Sequence, residues 1–167
     1  SKSGRGVLLG EKEKLEQFRS LGVDAVFISD FSDVRDLSPE RFVRDVLIGE
    51  LNAAAVVCGY NFTFGRGAAG NGALLSALMD ERGRRCYVMP EVTLGGLHVS
   101  STEIRRLLSA GDVAGAARLL GRRYALHGTV AHGKQNGRLL GFPTANLAVD
   151  GSIYMPKKGV YLTDFVF

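Results

Sequence analysis

The sequence predicts two folded parts in tandem: an α/β part on a parallel sheet through residues 1–121, and an all-β part through residues 122–167. Two observations carry this reading. Short apolar strands alternate with amphipathic helices as far as Leu120, which is the pattern of a parallel sheet with helices on its faces. After Arg122 the character changes to β-like segments separated by Gly, Asn and Asp turns, with no helical period between them.

The elements follow in order. Glu11 to Leu21 reads as an amphipathic helix, with Leu15, Phe18 and Leu21 or Val23 at helical spacing and Gly22 as its stop. Asp24 to Ser29 reads as a short buried strand. Ser38-Pro39-Glu40 is a helix start, a hydroxyl cap followed by proline in the first turn, and Phe42, Val43, Val46, Leu47 and Leu51 supply the buried stripe. Ala54 to Cys58 is the next strand, Gly59 to Gly72 a glycine-rich loop, Ala73 to Arg82 a helix, and Arg85 to Met89 a third strand ending at Pro90. Helices are predicted from Thr102 to Ala110 and from Asp112 to Leu120, with Gly111-Asp112 as break and cap. In the last part Tyr124 to Ala131, Gly141 to Val149 and Gly159 to Thr163 read as β-segments.

Bulk properties exclude several classes. The 167 residues are 46% hydrophobic and 23% charged, the balance of a globular protein. No apolar run approaches the ~20 residues that a membrane span needs, and Val7 to Leu9 is too short for a signal-peptide core, so a cytoplasmic protein without a membrane role is expected. Cys58 and Cys86 lie in apolar strand-like segments outside any Cys-x-x-Cys pair and read as reduced thiols. His98, His127 and His132 make no paired-ligand pattern, so no structural transition-metal site is expected. The net charge of +4 suits nucleic acid or small phosphorylated molecules. Dispersal of the cations into pairs such as Arg84-Arg85, Arg105-Arg106 and Arg122-Arg123 favours the small molecules.

Three segments carry candidate chemistry. Ser100-Ser101-Thr102 stands where a loop becomes a helix, so its hydroxyls and the first backbone amides converge on an anion site, and Arg105 follows on the same face. The competing reading is a capping box, Ser100-x-x-Glu103. The loop from Gly59 to Gly70 leaves the carboxyl end of a parallel strand, where open α/β sheets bind ligands. There Asn61 can hydrogen-bond a heterocycle while Phe62 and Phe64 supply apolar contact, or those two rings simply face the core. In Gly141 to Asn146, Pro143 stiffens the backbone and the Thr144 hydroxyl can ligate Mg²⁺ beside Asn146; a turn followed by an edge strand is the alternative.

Taken together, these motifs resemble the prokaryotic bifunctional riboflavin kinase/FMN adenylyltransferase (FAD synthetase) family. The carriers are Gly59-Tyr60-Asn61-Phe62-Thr63-Phe64-Gly65, Ser100-Ser101-Thr102-Glu103-Ile104-Arg105, the junction Leu119 to Tyr124, and Gly133 to Asn146 ending in Pro143-Thr144-Ala145-Asn146. The resemblance implies a nucleotidyltransferase domain over residues 1–121 and a riboflavin kinase β-barrel, truncated here, over residues 122–167. It implies riboflavin, FMN, ATP and FAD as substrates and products, and Mg²⁺ carried with ATP. It assigns Ser100, Ser101, Thr102 and Arg105, with Gly133, Gly141, Pro143 and Thr144, to ATP, and Asn61, Phe62 and Phe64 to the flavin. Arg105, Thr144 and Asn146 are its catalytic residues, Thr144 and Asn146 the contacts to Mg²⁺, and Gly133 to Gly141 a flap over the nucleotide. The family's Gly-x-Phe-Asp-Gly-x-His-x-Gly-His segment and the kinase glutamate have no counterpart in this sequence, so the chain is expected to represent part of a longer enzyme. Thr163 to Phe167 reads as a place where two family segments meet. No nucleic-acid or membrane partner is implied, and a weak homo-oligomer is compatible with the sequence. A nucleotidyltransferase for another acceptor and a basic nucleic-acid-binding module are the alternatives; the Pro-Thr-Ala-Asn segment argues against the first and dispersed charge against the second.

Overall fold

The computed structural model describes residues 6–131 and 144–166. Its contacts divide into two units, one formed by the residues up to Asp24 with those from Thr93 onward, the other by Ala25–Val92. Gly121 lies inside the first of these.

In the Ala25–Val92 unit the expected parallel pair is present. β1 (Ala55–Gly59) lies beside β4 (Arg85–Met89) in parallel register from Ala55↔Arg85 to Gly59↔Met89. Between them run β2 (Thr63–Phe64), β3 (Gly70–Asn71) and α4 (Gly72–Asp80), and β2 pairs antiparallel with β3. The strand period of two puts Val56 and Cys58 on one face, where with Cys86 they pack against a buried cluster of Val43, Phe64, Leu75, Leu78 and Met79. Val57, Tyr87 and Met89 stay exposed. The Asn71 side chain caps α4 by accepting from the Leu74 amide.

Before β1 come α2 (Phe31–Arg35) and α3 (Pro39–Arg41). Ser38 caps α3 through the Arg41 amide, with Pro39 in the first turn as its sequence suggests. The helix continues over Phe42–Glu50 with π-helical spacing, shown by Leu51 N donating to Val46 O at 3.0 Å. Val43 is buried there, but Leu51 is exposed and does not join the predicted stripe. Asp24 to Ser29 is not a strand: it joins no ladder among the described residues, and Phe27 and Ile28 are exposed. Apolar, β-prone residues make a strand only where a neighbouring strand takes up their backbone groups, and none does so here.

In the other unit α1 (Glu11–Ser20) forms as predicted but has no buried residue, and Leu21 and Val23 are exposed. β5 (Thr93–Leu94) and β6 (Leu97–His98) form a hairpin around Gly95-Gly96, a feature the sequence reading passed over. α5 (Ser101–Ala110) and α6 (Val113–Leu120) pack through Ile104, Leu107, Leu108, Ala116 and Leu119. Asp112 caps α6 through the Gly115 amide at 2.7 Å. β7 (Gly128–Ala131) pairs antiparallel with β8 (Asn146–Val149). Gly159 to Thr163 is not a strand; Val160 and Leu162 are fully exposed, and no described strand lies alongside them. The parallel pair and its helices bear out an α/β part. The β-rich part is represented by the single β7–β8 hairpin among the described residues, and a barrel is not seen.

Candidate functional site

The Gly59–Gly70 loop belongs to the Ala25–Val92 unit and the Ser100 helix start to the other.

The Gly59–Gly70 loop starts at the carboxyl end of β1. Phe62 N donates to Gly59 O at 3.0 Å, closing a turn with Tyr60 and Asn61 at its centre. Asn61 is exposed at this turn. Phe62 is half-buried and stacks on Phe64, with centroids 5.6 Å apart and planes at 12°. Phe64 is itself 7% exposed and packs against Phe42 at 5.5 Å, so it serves the core. Farther along, Arg66 returns to the segment before α3: its backbone N–H donates to Leu37 O at 2.7 Å, and its guanidinium donates to Asp36 O through Nη2 at 2.8 Å and Nε at 3.1 Å. The Tyr60 hydroxyl donates to Glu91 Oε1 at 2.5 Å, and this bond to a carboxylate raises the phenol's pKa. The sequence reading missed Tyr60, Arg66 and Glu91 as contributors. No local signal marks them: Tyr60 and Glu91 meet because β1 and β4 end in parallel register at Gly59 and Met89.

In the second motif, β6 delivers Val99 and Ser100 to the start of α5. Ser100 Oγ accepts from the Glu103 amide at 3.2 Å, and Ile104 N donates to Ser100 O. The amides of Ser101 and Thr102 remain as first-turn donors without intrahelical partners, the arrangement that suits an anion. The capping box is half made, because the Glu103 carboxylate turns to Arg106, with Oε1 2.6 Å from Nη2. That contact, aided by the Arg106 and His98 charges, lowers the Glu103 pKa against a smaller effect of burial. Arg105 is half-buried, and its Nε donates to Gly6 O at 3.0 Å. It lies close enough to the Tyr124 phenol to oppose, together with Arg122, the rise that burial causes there.

In the third motif, Thr144 is exposed just before β8, and Asn146 opens β8 opposite Ala131, also exposed. Gly133, Gly141 and Pro143 lie outside the described residues, as does His132. Cys58 and Cys86 are half-buried free thiols on the sheet face that carries the core, and burial raises the Cys86 pKa with a further contribution from Cys58. Among the described residues no three or more His, Cys, Asp and Glu side chains gather into a metal site, and no helix is long and apolar enough to cross a membrane. Among the described residues, Arg106 pairs with Glu103 and Arg123 with Asp164.

The FAD synthetase family pattern matches residues 2–103, which include the Gly59 loop and the Ser100 helix start. The chain belongs to the FAD synthetase family. A second match, to riboflavin kinase, covers residues 120–167. Relatives named bifunctional riboflavin kinase/FMN adenylyltransferase include those of Listeria monocytogenes, 36% identical over 92% of this chain and 49% of that one, and Bacillus subtilis, 36% identical over 90% and 47%. The Escherichia coli K12 protein of that name is 34% identical over 92% of this chain and 49% of its own length. The chain thus spans about half the length of the curated relatives it matches. A crystal structure described as a macrolide-efflux protein from Streptococcus pneumoniae superposes with a TM-score of 0.82 at 32% identity, covering 92% of this chain and 49% of that one. Its efflux description belongs to that protein.

Proposed function

We propose that this protein works in flavin-cofactor synthesis, phosphorylating riboflavin to FMN and adenylylating FMN to FAD. The single observation that carries the reading is the tandem pair of family matches, FAD synthetase over residues 2–103 and riboflavin kinase over 120–167. The division of labour follows: residues 1–121 transfer AMP, and residues 122–167 belong to a kinase domain with a barrel fold of which β7 and β8 are two strands.

In the first reaction the flavin ribityl hydroxyl attacks the γ-phosphorus of ATP and ADP leaves. In the second, an FMN phosphate oxygen attacks the α-phosphorus and pyrophosphate leaves. Both need alignment and charge neutralisation more than a covalent nucleophile. The first-turn amides of Ser101 and Thr102, with the Ser100 and Thr102 hydroxyls, hold triphosphate oxygens, and Arg105, oriented through its Nε bond to Gly6, supplies positive charge. Asn61 reads the flavin's hydrogen-bonding edge, Phe62 lies against its ring, and Phe64 acts from the core by fixing Phe62.

For the kinase step, Thr144 and Asn146 present an exposed hydroxyl and an exposed amide oxygen. Such hard oxygen donors fit Mg²⁺, which keeps most of its waters and takes its remaining ligands from phosphate. Mg²⁺ bound with ATP would neutralise phosphate charge. Gly133, Gly141 and Pro143 complete that nucleotide site. The cytoplasm, where ATP is held, is the matching compartment.

The test is incubation of the full-length protein with riboflavin, ATP and Mg²⁺ and separation of riboflavin, FMN and FAD by chromatography with fluorescence detection. Both products are expected. Arg105→Ala should cut FAD formation ten-fold or more, on the order of 1.4 kcal/mol of lost transition-state stabilisation, and spare FMN formation. Thr144→Ala should do the reverse. Equal loss of both activities in both variants would sink the two-site assignment.

A further inference from the structure

Resting on the proposed flavin role of the Gly59–Gly70 loop, we propose that Tyr60 and Glu91 form a positioning pair that sets Asn61 for the flavin. Neither residue falls within the motifs' assigned contacts.

β1 and β4 run parallel and end together at Gly59 and Met89. Tyr60 is the first residue past β1 and Glu91 the second past β4, and the hydroxyl of one donates to the carboxylate of the other at 2.5 Å. The bond therefore joins the two connections that leave the carboxyl edge of the sheet, where ligands of open α/β sheets are held. Tyr60 is 51% exposed, so core packing does not account for its orientation. An exposed hydrogen bond also adds little to global stability, and its consequence is positional.

What it positions is the turn. Phe62 N to Gly59 O closes a turn whose two central residues are Tyr60 and Asn61. The turn is anchored on one side by the Tyr60 tether to Glu91 and on the other by Phe62 stacked on buried Phe64. Asn61 stands exposed between these anchors. Freeing Tyr60 leaves the core anchor intact but lets the turn rotate, so the entropy of ordering Asn61 must be met when the flavin binds. The raised phenol pKa agrees with a hydroxyl that stays protonated and donating at neutral pH.

The experiment uses the full-length protein, with FMN binding read by quenching of flavin fluorescence and FAD formation measured at varied FMN and varied ATP. Tyr60→Phe keeps the ring and should raise Kd and KM for FMN about five-fold, with kcat and the KM for ATP changed less than about two-fold. Glu91→Ala should match it. Glu91→Gln, which keeps an oxygen acceptor, should stay near wild type, and the Tyr60→Phe/Glu91→Ala double variant should be no worse than either single one. An unchanged FMN affinity in Tyr60→Phe, additive losses in the double variant, or a fall in kcat in Glu91→Gln would each overturn the pair while leaving the enzyme reading intact. Wild-type protein that binds FMN and weakens on Tyr60→Phe, yet makes no FAD, would uphold the pair and overturn the adenylyltransferase reading. Wild type that neither binds FMN nor makes FAD would overturn both.

Discussion

Replacing Gly70 by alanine tests whether the glycine-rich loop is a packed element. A Cβ at Gly70 would stand 2.6, 2.7 and 2.8 Å from three ring carbons of Phe64, its cross-strand partner in β2. Unstrained carbon contacts lie at about 3.5–4.0 Å, so the ring must retreat by roughly 1 Å. It has little room to do so. Phe64 is 7% exposed, with Phe62 stacked at 5.6 Å and Phe42 tilted against it at 5.5 Å. Overpacking of this kind costs about 1–3 kcal/mol, and disturbing two aromatic contacts adds a fraction of ~0.5–1.5 kcal/mol each. We expect a loss of about 2–3 kcal/mol. With a urea dependence of ~1–3 kcal/mol per molar, the unfolding midpoint should fall by about 1 M or more. The sequence has no tryptophan, so tyrosine fluorescence and far-ultraviolet circular dichroism are the probes. Gly151→Ala is the control, since its Cβ would meet nothing within 4 Å, and it should stay within ~0.5 kcal/mol of wild type. A Gly70→Ala protein as stable as that control would refute the packing argument.

Other expectations follow from the same geometry. Leu108 is 0% exposed at the centre of the α5–α6 cluster, so Leu108→Ala should cost about 2–5 kcal/mol by urea unfolding, and a cost below ~1 kcal/mol would contradict that placement. Glu103 has its folded pKa lowered beneath the ordinary 4.5, chiefly by Arg106, so its contribution to stability is present above 4.5 and is lost as pH falls through the folded pKa. Melting temperatures of Glu103→Gln and wild type should therefore differ by a constant amount at neutral pH and converge in acid; a gap that persists undiminished in strong acid would show another cause. Burial raises the Cys86 pKa, so iodoacetamide should alkylate Cys86 more slowly in native protein than in urea at the same near-neutral pH, as read by peptide mass spectrometry. Equal rates would exclude the half-buried setting.

The parts of the fold legible in the sequence are those whose signals are local. Ser38, Ser100 and Asp112 each cap the helix they precede, because a side-chain oxygen and an amide three residues on meet whatever else the chain does. The strands at β1 and β4 and their parallel order follow from apolar runs separated by a helix. Asp24 to Ser29 and Gly159 to Thr163 look equally strand-like, and they fail because a strand is a relation between two segments that composition cannot supply. The π-helical turns of Phe42–Glu50 are likewise invisible to apolar spacing, which barely separates them from an α-helix. At the candidate site, motif reading nominated Asn61, Ser100 and Arg105; Ser100 is placed by its own local cap, whereas Arg105 is oriented by a bond to distant Gly6. It missed Glu91 and Arg66, whose parts in the loop depend on Tyr60 and on Asp36 and Leu37, each roughly thirty residues distant.

The glycines of the Gly59–Gly70 loop bear on how such a site works. A glycine-rich segment suggests mobility, yet Gly65 and Gly70 are held in place by neighbours. Gly65 has φ of +74° and sits where a Cβ would fall 2.9 Å from the Pro39 ring, while Gly70 lies under Phe64. Both are small because a helix start and an aromatic core ring press on them. The same loop is tied by Arg66 to the segment before α3 and by Tyr60 to Glu91. In the proposed flavin role such a loop would not spend binding free energy on ordering itself, so exposed Asn61 would be both accessible and fixed. At Gly65 and Gly70 glycine supplies close approach, while the turn itself is held by Tyr60 on Glu91 and Phe62 on Phe64.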